Sequence, residues 1–328
     1  MKYRELGKTD IEVSEISLGC WTMGGLNWVN GDPNGWANVD ENEIREAVNY
    51  AIDHGVTHFD NADVYGNGRA ERMLARILWK RSNNFIISTK IGWFPGTAEH
   101  AYEPAHIRHQ CEQSLINLKR EYIDIYYFHH GNFGENYEYL DDAVEVMYKL
   151  KEEGKIRIIG QSAYSDEHFR KLIPKVKPEV IQSSASALDD HILTETSLTR
   201  KLIDENKISF VAFGPLAQGL LLDKYDKNNP PKFAAGDHRK DAYRFSKEGL
   251  EKLGPKLVEL KKRFGTTTEE LARMALQYLL HYKPVGAVIP GFRNLNQVKS
   301  NLEGQGNPLT DEDFDYIKTV LADYEFKR

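Results

Sequence analysis

Cysteine is nearly absent from this chain of 328 residues, which holds only Cys20 and Cys111. A secreted protein of this size would more often carry several, so a reducing, cytoplasmic setting is expected. No apolar run approaches the roughly 20 residues needed to span a bilayer. The opening residues, Met1-Lys-Tyr-Arg-Glu-Leu, are charged at once and offer no secretory apolar segment. Clustered positive charge is also lacking. The net charge is −6, and the densest basic stretch, around residues 256–263, reads as one face of a helix. This balance argues against nucleic acid or an anionic membrane as partner. A Gly-x-Gly-x-x-Gly turn after an early strand is missing too. Gly66-Asn-Gly68 has neither the third glycine nor the position, which argues against an open doubly wound sheet. Repeats and low-complexity tracts are absent.

What remains is an ordinary globular composition, 41% hydrophobic and 28% charged, long enough to bury a large core. The first 13 residues read as a hairpin, with extended segments at 3–6 and 11–13 flanking a turn that holds Gly7 and Asp10. Short β-branched runs then recur near 16–18, 56–59, 85–89, 123–128, 156–161, 180–182, 208–213 and 285–289. Helical periodicity fills the intervals. Ile44, Val48, Ala51 and Ile52 share one helical face, as do Ala143, Val146, Met147 and Leu150. Gly55 and Gly154 stand where a helix C-cap needs positive φ. Eight such pairs, the last closing with 294–302, predict a single (β/α)8 barrel domain over 1–328, with an N-terminal β-hairpin and extra C-terminal helices. Residues 223–245 form the longest stretch without pattern. They read equally as a lid or cofactor clamp and as a flexible connection.

Barrel enzymes carry their chemistry at the C-terminal ends of the strands. Strand two ends in Asp60, with Tyr65 in the loop beyond it; strand three ends in Lys90; strand four ends in His129. Singly, each residue reads as a structural ion pair or a packing group. Together they suit carbonyl reduction, which needs hydride at carbon and a proton at oxygen. A Lys90 cation held by Asp60 is expected to lower the Tyr65 pKa from its ordinary ~10. Neutral His129 would bind the substrate oxygen where charge develops. A metal site is not expected. A barrel metallohydrolase would draw on His58, Asp60, Lys90, His129 and His130 but wants an acidic end to strand eight, which here runs Val-Ile-Pro-Gly. A Schiff-base aldolase on Lys90 is a further alternative.

The ordered set Asp60-x-Ala-x-x-Tyr65-Gly, Lys90, Asp124-Ile-x-x-x-His129 resembles the aldo-keto reductase superfamily. So do Leu18-Gly-Cys-Trp21, Ile159-Gly-Gln-Ser162, Phe213-Gly-Pro-Leu-Ala-Gln-Gly219 and Ile289-Pro-Gly-Phe-Arg293. The match runs from residue 2 to about 302, and the Pro-Gly-x-Arg form is similar to bacterial members of the inositol-utilisation and general-stress type. The resemblance implies an NADPH-dependent oxidoreductase, NADH being the alternative, acting on a small carbonyl or alcohol. It implies Asp60, Tyr65, Lys90 and His129 as catalytic residues. Ser162 and Gln182 would hold the nicotinamide carboxamide, and the ring would stack on Phe213. Arg293 would meet a 2′-phosphate through its bidentate fork, with Gln297 and Asn301 on the adenosine side. Trp21, Pro215, Leu216, Gln218 and Gly291 complete the implied cofactor contacts. Trp21, Trp93, Phe94 and His129 would wall the substrate.

The chain departs from the family pattern at Ala163, Ser184-Ala185-Ser186, Phe213 and Ser300, where Asn, Glu-Tyr-Asn/Ser, Tyr and Glu are usual. These departures bear on the cofactor's seat, not on the four strand-end residues. His58 reads as a hydrogen-bonded histidine of the barrel interior, His130 as a structural or rim residue, and Cys20 as a small buried hydrophobe. Trp28 and Trp36 read as pocket wall or loop packing. A barrel that binds nicotinamide as a regulatory subunit, without turnover, is the alternative from a different functional class.

Overall fold

The structure is a computed structural model that describes residues 1–29, 32–234, 237, 239–240, 242–303 and 306–326. Strands β1 (Tyr3–Glu5) and β2 (Glu12–Ser14) form the expected antiparallel hairpin. Its turn is tied by Thr9 Oγ1 donating to the Leu6 carbonyl at 2.6 Å. Leu6, Ile11 and Val13 of this hairpin are buried against Ile125, Ile158, Val180, Val211 and Ala287 from the strands, and so close the N-terminal end of the barrel.

Strand β3 (Leu18–Gly19) begins the barrel. It is followed by a second hairpin, β4 (Leu26–Val29) with β5 (Asp32–Gly35), which the sequence reading treated as loop. The remaining staves are β6 (His58–Asp60), β7 (Ile86–Ile91), β8 (Ile123–Phe128), β9 (Ile156–Ser162), β10 (Val180–Ser184), β11 (Ser209–Phe213) and β12 (Val285–Ile289). They pair in parallel in the order β12-β11-β10-β9-β8-β7-β6-β3. Parallel bridges Ile16↔Val288 and Gly19↔Gly291 bring the two edges together. The Ser17 N–H donates to the Val288 carbonyl at 2.9 Å, and the Val288 N–H to Glu15 at 2.9 Å. The eight staves match the predicted runs to within a few residues. Strands covered on both faces need continuous apolar sequence, and every residue of β8 is buried. In β9, Gly160 is required by its neighbour. A Cβ there would lie 2.2 Å from the Tyr127 ring, which fills the barrel interior.

Helices α1 (Glu41–Asp53), α2 (Arg69–Leu78), α3 (Pro104–Leu118), α4 (Leu140–Glu152), α5 (Asp166–Val176) and α6 (Leu198–Asn206) alternate with the staves. Asp40 caps α1 by accepting from the Asn42 and Glu43 N–H groups, and Ile44, Val48 and Ala51 are buried as expected. Ile52, on the edge of that face, is only half-buried. Gly55 and Gly154 adopt φ of 89° and 73° after α1 and α4. After β11 the chain makes an additional helix, α7 (Lys247–Phe264), before the barrel helix α8 (Thr268–Leu280). After β12 come α9 (Leu295–Leu302) and α10 (Asp311–Leu321). Helices α7 and α10 are joined by Arg263 to Glu312 and Asp313, and by Tyr316 to Glu259. One of the two extra helices is therefore C-terminal and the other is inserted before the last unit. No described helix is long and apolar enough to cross a membrane.

Candidate active site at the C-terminal mouth of the barrel

Asp60 is the last residue of β6 and faces inward. Its register partner on β7 is Ser88, and Lys90 lies two residues further along the same face. Side chains alternate along a strand, so Ser88 and Lys90 both point at Asp60. Lys90 Nζ stands 2.6 Å from Asp60 Oδ2 and 2.6 Å from the Asn61 carbonyl, with both side chains almost wholly buried. It also faces the Tyr65 hydroxyl at 3.5 Å, and the Tyr65 and Tyr127 rings at 5.2 and 5.9 Å. The His129 ring meets Tyr65 edge-on at 5.9 Å. The four residues taken from three strand ends are thus brought together.

Burial sets the electrostatics. It pushes the Tyr65 phenol well above its ordinary value, and the Asp60 carboxylate acts in the same direction. The expected lowering by Lys90 is not found. That cation is committed to Asp60 and the Asn61 carbonyl at 2.6 Å and only then reaches the phenol. Tyr65 is therefore a protonated donor at neutral pH. Burial also holds His129 well below the ordinary histidine value, with Lys90 and His130 contributing, so the imidazole is neutral. Its buried Nδ1 has no partner among the described residues.

Around this core the walls are aromatic. Trp21 stacks on Tyr65 at 6.1 Å and meets Trp36 edge-on at 5.6 Å. Trp93, well exposed, lies edge-on to His129 and His130 at 6.2 and 4.6 Å. Phe94 is half-buried, and its carbonyl accepts from His106 at 2.7 Å. Trp28 is exposed. His130 is structural, with Nε2 at 2.8 Å from the Gly92 carbonyl and its backbone N–H on the Tyr102 hydroxyl. Cys20 is buried, and burial pushes its thiol far above the range in which it would ionise.

The groups expected to hold a cofactor line the neighbouring staves. Ser162 ends β9, and its buried hydroxyl finds no partner among the described residues. Gln182 on β10 donates to Asp60 Oδ1 at 2.9 Å. Phe213, half-buried at the end of β11, meets Tyr164 edge-on at 5.9 Å. Beyond Pro215 and Leu216, three successive residues take positive φ: Ala217 (48°), Gln218 (57°) and Gly219 (93°). Left-handed backbone at a non-glycine costs of order 1–2 kcal/mol and clusters where a ligand is gripped. Gln218 is held by Arg244, 2.8 Å from its side-chain oxygen. After β12, the Arg293 N–H donates to Gln297 Oε1 at 2.8 Å, and the buried Asn301 donates to the Gly291 carbonyl at 3.4 Å. Asn294 caps α9 there.

Sequence reasoning did not anticipate how the segment after β11 meets this end. Arg239 lies 4.6 Å above the Trp36 ring, Arg293 lies 5.7 Å from the same ring, and Arg239 pairs with Asp237 at 2.7 Å. Burial, with Arg239 and Arg293 nearby, holds Lys224 below the ordinary lysine value. Three cations thus gather beside the strained 217–219 turn. Nothing in the periodicity of 223–245 marks Lys224 or Arg239, because Arg239 meets Trp36 some 200 residues earlier and Lys224 meets the charge of Arg293 from beyond β12. Residues 235, 236, 238 and 241 of that stretch lie outside the described residues. Among the described residues no group of three His, Cys, Asp or Glu could hold a metal ion.

A parallel eight-stave barrel with an Asp–Lys–Tyr–His cluster at its mouth defines the class, and comparison with known proteins agrees. The model of the aldo/keto reductase family matches residues 15–322, and the chain belongs to that family of carbonyl-directed oxidoreductases. It is 29% identical to the uncharacterized oxidoreductase YqkF of Bacillus subtilis, over 97% of this chain and 96% of that one. It is 28% identical to a probable voltage-gated potassium channel subunit beta of Arabidopsis thaliana, over 92% and 90%. Among solved structures it is similar to the glycerol dehydrogenase AKR11B4 of Gluconobacter oxydans. The TM-score there is 0.80 at 26% identity, over 98% and 95% of the two chains.

Proposed function

We propose that this chain is an NADPH-dependent reductase of small aldehydes or ketones, in which Tyr65 delivers the proton. One observation carries the reading: Lys90 Nζ lies between Asp60 at 2.6 Å and the Tyr65 hydroxyl at 3.5 Å, with His129 against the same phenol. Bound NADPH would supply the hydride. Tyr65, kept protonated by burial, would donate to the carbonyl oxygen, and Lys90 would stabilise the phenolate left behind. Asp60 would keep Lys90 in place through that moment. Neutral His129 would donate a hydrogen bond to the same oxygen and set which face of the carbonyl is presented.

The fit of a nicotinamide dinucleotide is supported by groups that want a ligand. Ser162 offers a buried hydroxyl, unpartnered among the described residues, near one end. Lys224, Arg239 and Arg293 gather positive charge at the other, beside a strained turn, and suit phosphate. Ser162 and Gln182 would take the carboxamide, Phe213 the ring face, and Arg293 a 2′-phosphate, which favours NADPH over NADH. Gln297, Asn301, Gly291, Gln218, Pro215, Leu216 and Trp21 would line the rest. Trp21, Trp93 and Phe94 would wall the substrate. The chain would act as a single domain over 1–328.

The test is turnover of a panel of aldehydes, ketones, sugars and aryl carbonyls with NADPH and NADH, alongside Tyr65→Phe. That variant is expected to bind NADPH as the wild type does, by fluorescence titration, and to lose turnover. Undiminished reduction by Tyr65→Phe would sink the mechanism. The likeness to the plant channel subunit supports a second reading, a nicotinamide-binding regulatory barrel. Tight NADPH binding by the wild type with no turnover of any carbonyl would favour it.

A further inference from the structure

We propose that His58 is a positioning residue for the Asp60–Lys90–Tyr65 set, acting through Ser88 on the Asp60 carboxylate. The proposal rests on the reductase reading above. Its basis is a chain of hydrogen bonds across the barrel interior. Ser17 Oγ lies 2.8 Å from His58 Nδ1, His58 Nε2 lies 3.0 Å from Ser88 Oγ, and Ser88 Oγ donates to Asp60 Oδ1 at 2.8 Å. All four side chains are buried.

Proton counting gives this chain one direction. The Asp60 carboxylate only accepts, and a hydroxyl has a single proton to give. Ser88 gives that proton to Asp60, so its oxygen accepts from His58 and Nε2 must carry the hydrogen. The ring is neutral, because burial pushes it down to about 4 against the opposing pull of Asp60 and Asp124, with Lys90 also facing it. Nδ1 is then bare and accepts from Ser17. One tautomer satisfies the chain and the other breaks it at Ser88.

The consequence falls on Asp60. Its Oδ2 is held by Lys90, and its Oδ1 by Ser88 and Gln182. Gln182 is the residue proposed above to turn to the cofactor's carboxamide. Once it does, Ser88 is the donor left on Oδ1, and His58 decides where that hydroxyl points. A hydroxyl freed from His58 can rotate away, and the carboxylate that locates Lys90 beside Tyr65 loses its register.

The double-mutant cycle of His58→Leu and Ser88→Ala tests this, read as kcat and KM with NADPH and the best carbonyl of the panel. Each single variant is expected to lose about tenfold in kcat, the low end for partners one step removed from reacting groups, with KM held within about twofold. The double variant is expected to lose no more than either alone, because both cut the same chain. His58→Gln, whose Nε2 can replace the imidazole donor, should recover kcat to within about twofold and controls for folding. Multiplicative losses in the double variant, or unchanged kcat in both singles, would overturn the proposal. An independent reading comes from ¹⁵N chemical shifts of the wild type without substrate. They should show the neutral Nε2–H tautomer of His58 from about pH 6 to 8. The other tautomer, or a titration in that range, would overturn the proposal whatever the turnover. Failure of the reductase reading would appear separately, as no turnover by the wild type.

Discussion

The two ends of the barrel are closed in different ways. At the N-terminal end, Leu6, Ile11 and Val13 of the first hairpin seal the staves with apolar packing. At the C-terminal end the chain buries Asp60, Lys90 and His129 around the half-buried Tyr65, leaves Ser162 Oγ and His129 Nδ1 without partners among the described residues, and carries a strained turn at 217–219. The first end optimises folding. The second concentrates buried ionisable groups and strained backbone, features whose cost suits a site that meets a ligand. This contrast divides substitutions into those that cost stability alone and those that cost activity.

The largest effect is expected from Lys90→Met. It leaves Asp60 as an uncompensated buried carboxylate, costing about 3–5 kcal/mol in denaturant unfolding. It also removes the cation beside Tyr65, so turnover should fall on the order of 10²–10⁴-fold. Leu6→Ala should cost about 2–5 kcal/mol by cavity formation while kcat of the folded fraction stays unchanged. A matching loss of kcat there would erase the distinction between the two ends.

Acid should act on the mouth as well. Burial is the main cause that holds His58 and His130 down to about 4, and it also holds His129 well below the ordinary histidine value. The unfolded chain binds protons at these sites near pH 6.5 while the folded chain does not. Stability from this source is therefore fully present above about pH 6.5 and falls as pH drops toward 4. Urea midpoints measured across that window should decline toward acid, and replacing His130 with Gln should make the decline shallower. The smallest effect is expected at Trp36→Ala, which removes an edge contact to Trp21 and two cation–π contacts. It should cost about 0.5–2 kcal/mol and weaken NADPH more than it slows turnover.

Much of this was legible from one dimension. Parallel staves need apolar runs, the helices between them need a 3.6-residue period, and both patterns are local. The second hairpin is not legible, because the Asn, Gly and Trp residues around its strands lack the alternation that marks a strand. The four strand-end residues were found because barrel chemistry sits at strand ends. Their couplings were not: Gln182 on Asp60, Ser88 between His58 and Asp60, and Arg239 and Arg293 on Trp36 join residues 122, 28 to 30, and some 200 to 260 positions apart. The direction of the Tyr65 shift was misjudged for the same reason. Sequence names the neighbours of a phenol but not how much water they exclude.

By itself the sequence determined the alternation of staves and helices, the first hairpin, and which side chains stand at or just beyond the strand ends. Those follow from periodicity and residue chemistry, which act over a few residues. Only the tertiary structure decided which partner each buried polar group takes, whether burial or a nearby cation governs Tyr65, and how the segment after β11 reaches Trp36. These depend on distances of a few ångströms between residues far apart in the chain, and dielectric environment is a property of the closed barrel.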